Sequence, residues 1–147
     1  MNKDEVLQAI AVQLENNVRE LSESLEGYRE SSDLDEGDTK DMEDFSQQSE
    51  QKEMQYRMQI QLDQAEGALA RLREFSGEAI DEAKTGALVE TDQNWFFLGI
   101  SFPGVQIDGN EVLGLSTESP AFMAMHGKAK GDTFTVGNNT HKIRSIS

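Results

Sequence analysis

DLDEGDTKDMEDF, residues 33–45, sets seven acidic side chains and one lysine within thirteen positions. What flanks it decides the fold. On the N-terminal side Leu7, Ile10, Leu14, Val18, Leu21, Leu25 and Tyr28 recur with gaps of 3, 4, 4, 3, 4 and 3. That is one helical face, close to a coiled-coil seam with a single stutter. The spacing predicts a helix from Asp4 to about Glu30, roughly 40 Å long at 1.5 Å per residue. On the C-terminal side a second run starts near Thr39 or Lys40 and continues to about Phe75, roughly 54 Å. Its seam reads Met54, Met58, Leu62, Ala65, Leu69 and Leu72, with polar positions between Phe45 and Gln51. Helices this long cannot bury their stripes inside so small a chain. The simplest solution is an antiparallel coiled-coil hairpin over residues 1–76, with the acidic stretch at its far end.

Composition agrees with that division. The 147 residues carry a net charge of −15, and only 36% of them are hydrophobic. Residues 1–85 hold 22 acidic and 9 basic side chains, and residues 86–147 hold 6 and 4. Phosphate recognition needs Lys and Arg to displace counterions, so free DNA is excluded as a strong ligand. A basic protein surface or a metal ion suits the acidic half better. The chain has no cysteine, which rules out disulfides, thiolate metal sites and a Cys nucleophile. MNKDEVLQAIAVQLENN has no continuous apolar core, and no stretch approaches 18 apolar residues, so neither a signal peptide nor a membrane span is expected. The expected location is the cytoplasm.

The pattern changes at Ser76. Residues 77–85 read as a linker, with room for one helical turn. After it, ALVET, NWFFLGISF, EVLGLS, DTFTV and HKIRSI are strand candidates, rich in β-branched and aromatic residues. Asp-Gly at 108–109, Gly-Asp at 131–132 and Gly-Asn-Asn at 137–139 punctuate them, and the last two strands look like a hairpin. SPAFMAMHG, residues 119–127, reads as a short helix capped by Ser119, opened by Pro120 and stopped by Gly127. Phe122, Met123 and Met125 are available for packing there, and Trp95, Phe96, Phe97 and Phe102 are expected to fill the core. The fold class is therefore α+β: a long helical hairpin followed by a small β-rich domain over residues 86–147. His126 and His141 have no metal-ligand spacing with Asp or Glu, and no phosphate loop, nucleophile elbow or zinc signature occurs.

This order of parts resembles the bacterial Gre transcript cleavage factors. The family pattern near the hairpin end is close to GDLSENAEY, and this chain reads GDTKDMEDF at 37–45. Gly37 and Asp38 match, Asp41 falls where the family has Glu, and Asp44 and Phe45 fall at the next acidic and aromatic positions. The second family pattern is Ser-Pro, a short apolar helix, Gly-Lys, a spacer and Gly-Asp before a strand. Ser119, Pro120, Gly127, Lys128, Gly131 and Asp132 match it in order. The likeness covers nearly the whole chain. It departs at Asp41, one methylene shorter than Glu, at Met42 and Glu43 in place of Asn and Ala, and in its basic residues. Only Arg29 and Lys40 lie near the acidic end.

The resemblance implies an FKBP-like C-terminal domain and RNA polymerase as the partner. It implies that the hairpin enters the secondary channel and acts on the RNA 3′ end indirectly. Asp38 and Asp41 would help the polymerase hold a second Mg²⁺, which activates water for hydrolysis of backtracked RNA. No tightly bound cofactor is implied, and the chain is an auxiliary factor rather than an enzyme. Phe45 would brace the acidic end, and Asp44, Ser119 and Pro120 would contact the partner. Acidic residues opening a helix are also ordinary capping chemistry. Three other readings stay open: a secondary-channel regulator without cleavage activity, a coiled-coil adaptor or holdase, and a prolyl isomerase.

Overall fold

A computed structural model of the chain describes the backbone of residues 1–34 and 42–147 and the side chains of residues 1–30 and 48–147. The elements run α1 (Lys3–Leu34), α2 (Met42–Leu72), β1 (Leu88–Thr91), β2 (Trp95–Leu98), β3 (Val105–Ile107), β4 (Asn110–Leu115), α3 (Pro120–Met125), β5 (Thr133–Val136) and β6 (Asn139–Ile146). Two compact units result: Leu14–Gly67, and Met1–Gln13 together with Ala68–Ser147.

The helical unit holds most of α1 and α2, helices of 32 and 31 residues, about 48 and 46 Å long. Asn2 opens α1: its Oδ1 accepts the Asp4 N–H at 2.9 Å, the bond expected of an N-cap. Hydrogen bonds between described residues join the helices. Arg29 Nη2 donates to Gln59 Oε1 at 3.2 Å, and Gln55 Nε2 donates to the Tyr28 carbonyl at 3.3 Å. Leu14, Leu25 and Leu62 are buried along the facing stripes.

Two expectations about the seams shift by one residue. Val6, not Leu7, is fully buried in the first turns of α1. Val6, Ile10 and Leu14 keep a strict i, i+4 row, which Leu7 would break. In α2, Met54 is 43% exposed and Gln55 takes the shielded position. Gln55 preserves the 3–4 alternation with Met58 and Leu62. The helix also stops at Leu72 rather than Phe75, through tightening bonds from Glu74 N to Arg71 O and from Phe75 N to Leu72 O.

The second unit is built on a six-stranded sheet in the order β3-β4-β2-β1-β6-β5. β2 and β4 run parallel; every other neighbouring pair is antiparallel. Side chains alternate across it. Val89, Phe96, Leu98, Phe134 and Ile143 meet Phe122 and Met125 of α3 in one core, closed by Ala83 and Ala87. Leu88 and Phe97, one position out of phase, are also fully buried, and Phe75 meets Phe97 edge-on at 5.5 Å. Phe102 is buried too, whereas Trp95 is half-buried. Met123 does not pack: it is 63% exposed, since α3 turns Phe122 and Met125 inward.

All five sequence-expected strands form, and β3, a three-residue strand behind Pro103 and Gly104, was not among them. The β5–β6 hairpin turns through Gly137 and Asn138, with Val136 opposite Asn139. Gly137 has φ of 60° at the first central position, the conformation a II′ turn demands of glycine. The linker contains no helical turn. Ala83 is instead pinned to the loop after α3, by bonds from Ala83 N to Lys128 O and from Gly127 N to Ala83 O.

Candidate functional site

The acidic stretch joins α1 to α2. Asp38 and Asp41 lie outside the described residues. Asp44 and Phe45 fall in the first turn of α2, and their side chains lie outside the described residues as well.

Next to that stretch the described side chains nearly balance in charge, with Glu26, Glu30, Glu50 and Glu53 against Arg29, Lys52 and Arg57. Arg29 is turned to the neutral amide of Gln59, and Arg57 is held by Glu53 at 2.7 Å. Glu26, Glu30 and Glu50 have no cationic partner among the described residues. The excess negative charge lies in residues 33–45 themselves, seven acidic side chains against one lysine, which suits a cation or a basic surface. Among the described residues no group of His, Asp and Glu is arranged to hold a metal ion.

The C-terminal motif is compact. Ser119 Oγ accepts the Phe122 N–H at 3.1 Å, so this hydroxyl is committed to capping α3. Pro120 follows it and is exposed. Asp132 Oδ2 accepts the Ala129 N–H at 2.9 Å, and Gly131 and Asp132 bond through their backbone to Ile143 of β6. The structure thus brings Ser119, Pro120, Gly127, Lys128, Gly131 and Asp132 into α3 and the turn after it. Each of Ser119, Gly127 and Asp132 has a local structural task there.

His141 is buried and stacks on Phe134 with centroids 5.0 Å apart, while Phe96 meets it edge-on at 6.2 Å. Its Nδ1 has no hydrogen-bond partner. His126 is exposed and lies 5.4 Å from the Phe122 ring.

Sequence reasoning passed over Lys3. It is only 6% exposed, and its Nζ donates to the Glu78 carbonyl at 2.8 Å. Burial draws its pKa below the usual lysine value, and the charges of Asp4 and Glu78 oppose that shift. Its phase was the available signal: Lys3 lies one turn before Val6 on the same buried stripe. Beside it, Gly77 approaches Asp4 so closely that a Cβ at Gly77 would overlap the Asp4 carboxylate.

Two solved structures are similar to this chain. One is the crystal structure of GreA factor homolog 1 (Gfh1) of Thermus thermophilus, at 19% identity over 95% of each chain with a TM-score of 0.38. The other is described as the structure of the transcription factor Gfh1. It is 22% identical, covers 99% of this chain and 93% of its own, and has a TM-score of 0.31. These neighbours are Gre-factor homologues. No family model matches the chain, and no curated protein matches it.

Proposed function

We propose that this chain is a Gre-like transcription elongation factor that binds RNA polymerase through the secondary channel and works in the cytoplasm. In this reading α1 and α2 form an antiparallel coiled-coil hairpin with residues 33–45 at its end. Residues 77–85 link it to an FKBP-like domain, residues 86–147, that docks on the polymerase. The observation that supports it best is the pair of cross-helix bonds, Arg29 to Gln59 and Gln55 to Tyr28, between the two helices that flank the acidic stretch. In an antiparallel pair they bring Leu25, one turn before Arg29, level with Leu62, three residues after Gln59, and both leucines are buried.

The chemistry would belong to the polymerase. Asp38 and Asp41 supply carboxylate oxygens of the hard type that Mg²⁺ prefers. They are three residues apart, so they share a face once the second helix starts at or before Asp38. A second Mg²⁺ shared with the polymerase would activate the water that displaces the RNA 3′ oxygen. Phe45, one turn on, braces the end. Asp44, Ser119 and Pro120 contact the partner. The chain itself would not be an enzyme, and it would act on the RNA 3′ end only through the polymerase.

A second reading keeps the docking and drops the cleavage. It is favoured by the excess charge of residues 33–45, seven acidic side chains against one lysine. Such a factor would occupy the channel and alter initiation or pausing. The full chain incubated with core RNA polymerase decides first. Co-purification with a salt-sensitive affinity is expected. Failure to bind, together with suppression of aggregation of unrelated proteins, would instead select an adaptor or holdase.

A further inference from the structure

Among the shielded positions of α2, Gln48, Gln51, Gln55, Met58, Leu62, Ala65, Leu69 and Leu72 form one 3–4 alternation, with Gln59 and Ala68 half-buried beside it. The geometry of the seam is constant along the helix, but its chemistry is not. From Met58 onward it is apolar. Before Met58 it consists of glutamines, although apolar side chains are at hand. Met54, Tyr56 and Ile60 are 43%, 69% and 40% exposed on the other faces.

In α1, Val18 and Leu21 are half-buried within the apolar row. Val6, Ile10, Leu14 and Leu25 are buried, and Tyr28 beyond them is half-buried. Gly27 sits in the same stretch, with nothing within 4 Å of where a Cβ would be. Glycine loses more backbone entropy on entering a helix than any other residue, so it weakens the helix there. Two bonds that span the helices between described residues here measure 3.2 and 3.3 Å. A polar residue at a seam position fixes register at a cost in stability, and apolar burial supplies most of the rest.

We propose that the two helices part locally beyond Leu25 and Leu62. Residues 26–30 and 48–58 then form a segment that opens and recloses while the apolar seam below stays closed. The glutamines hold the register of the closed state without locking it. Helices paired this way are held firmly along the apolar row and yield over residues 26–30 and 48–58. This proposal rests on the antiparallel pairing proposed above and needs no polymerase.

Native-state hydrogen exchange of the full chain, followed by mass spectrometry, tests it. α2 begins at Met42, so amides from Gln48 onward lie past the unbonded first turn. Amides of 48–58 are expected to exchange on the order of a hundredfold faster than those of 62–72. In the Gln51→Leu/Gln55→Leu variant that ratio falls tenfold or more. Gly27→Ala, which adds a methyl into open space, slows residues 26–30 and serves if the double variant aggregates. Equal protection of 48–58 and 62–72, or a ratio unmoved by the substitutions, overturns the proposal. Rapid exchange through 62–72 as well would instead mean that the helices do not pair, and so would overturn the hairpin.

Discussion

Lys3 Nζ donates to the main-chain carbonyl of Glu78 at 2.8 Å, which ties the first turn of α1 to the segment that follows α2. The residue is nearly buried, so the methylene stem contributes packing as well as the bond. Lys3→Ala is expected to lose both and to cost about 2 kcal/mol, within the range for hydrogen bonds from charged donors. Lys3→Met keeps the stem and should cost less. Chemical denaturation of the two variants checks the order.

The same lysine makes stability depend on pH in a definite direction. Its pKa in the folded chain lies below the ordinary 10.5, with burial as the main cause. Between the lowered folded value and 10.5 the unfolded chain binds more protons, so stability rises with pH across that window. A neutral amine still donates to the Glu78 carbonyl. Wild type is therefore expected to gain on Lys3→Met as pH approaches 10.5. A difference that stays flat, or shrinks, contradicts the assignment.

Gly77 stands against Asp4, and an added methyl would meet the carboxylate. Gly77→Ala should destabilise by about 1 kcal/mol, since overpacking is relieved only if Asp4 rotates away. In an Asp4→Ala background the penalty should vanish. A double-mutant cycle by thermal unfolding measures the coupling.

How much of this was legible in the sequence varied with the size of the signal. α3 was readable because Ser119, Pro120 and Gly127 each have one dominant use, and the structure places them in it. The two long helices were readable from repeated leucines. β3 was not, because Val105, Gln106 and Ile107 are too few to show alternation. The choice of Val6 over Leu7 and of Gln55 over Met54 turned on helical phase, which apolarity alone misjudges by one residue. Ala83 was invisible as a core residue: a methyl group in a polar linker carries no periodicity, and its burial comes from pairing with the loop after α3. Asp38 and Asp41 were chosen from a motif, and their geometry lies outside the described residues.

Ser119 separates capping from docking. Ser119→Ala removes the acceptor for the Phe122 N–H and should cost about 1 kcal/mol. Ser119→Asp supplies another good cap and should restore that loss. Polymerase affinity is then compared in Ser119→Asp, where stability no longer differs. Weakened binding there marks Ser119 as a contact residue, and unchanged binding leaves it a cap only.

His141 buries an unpartnered Nδ1 between two aromatic rings. His141→Phe removes that polar atom and keeps the stack on Phe134. An expected gain of about 1 kcal/mol follows from the usual cost of an unsatisfied buried group. A loss of stability in urea denaturation would mean that the nitrogen has a partner, such as a bound water.

The most direct measurement is cleavage of RNA in stalled, backtracked elongation complexes, with wild type compared against Asp38→Asn/Asp41→Asn. Both proteins are expected to bind polymerase, and only wild type should accelerate cleavage in the presence of Mg²⁺. Full stimulation by the double variant would contradict the account.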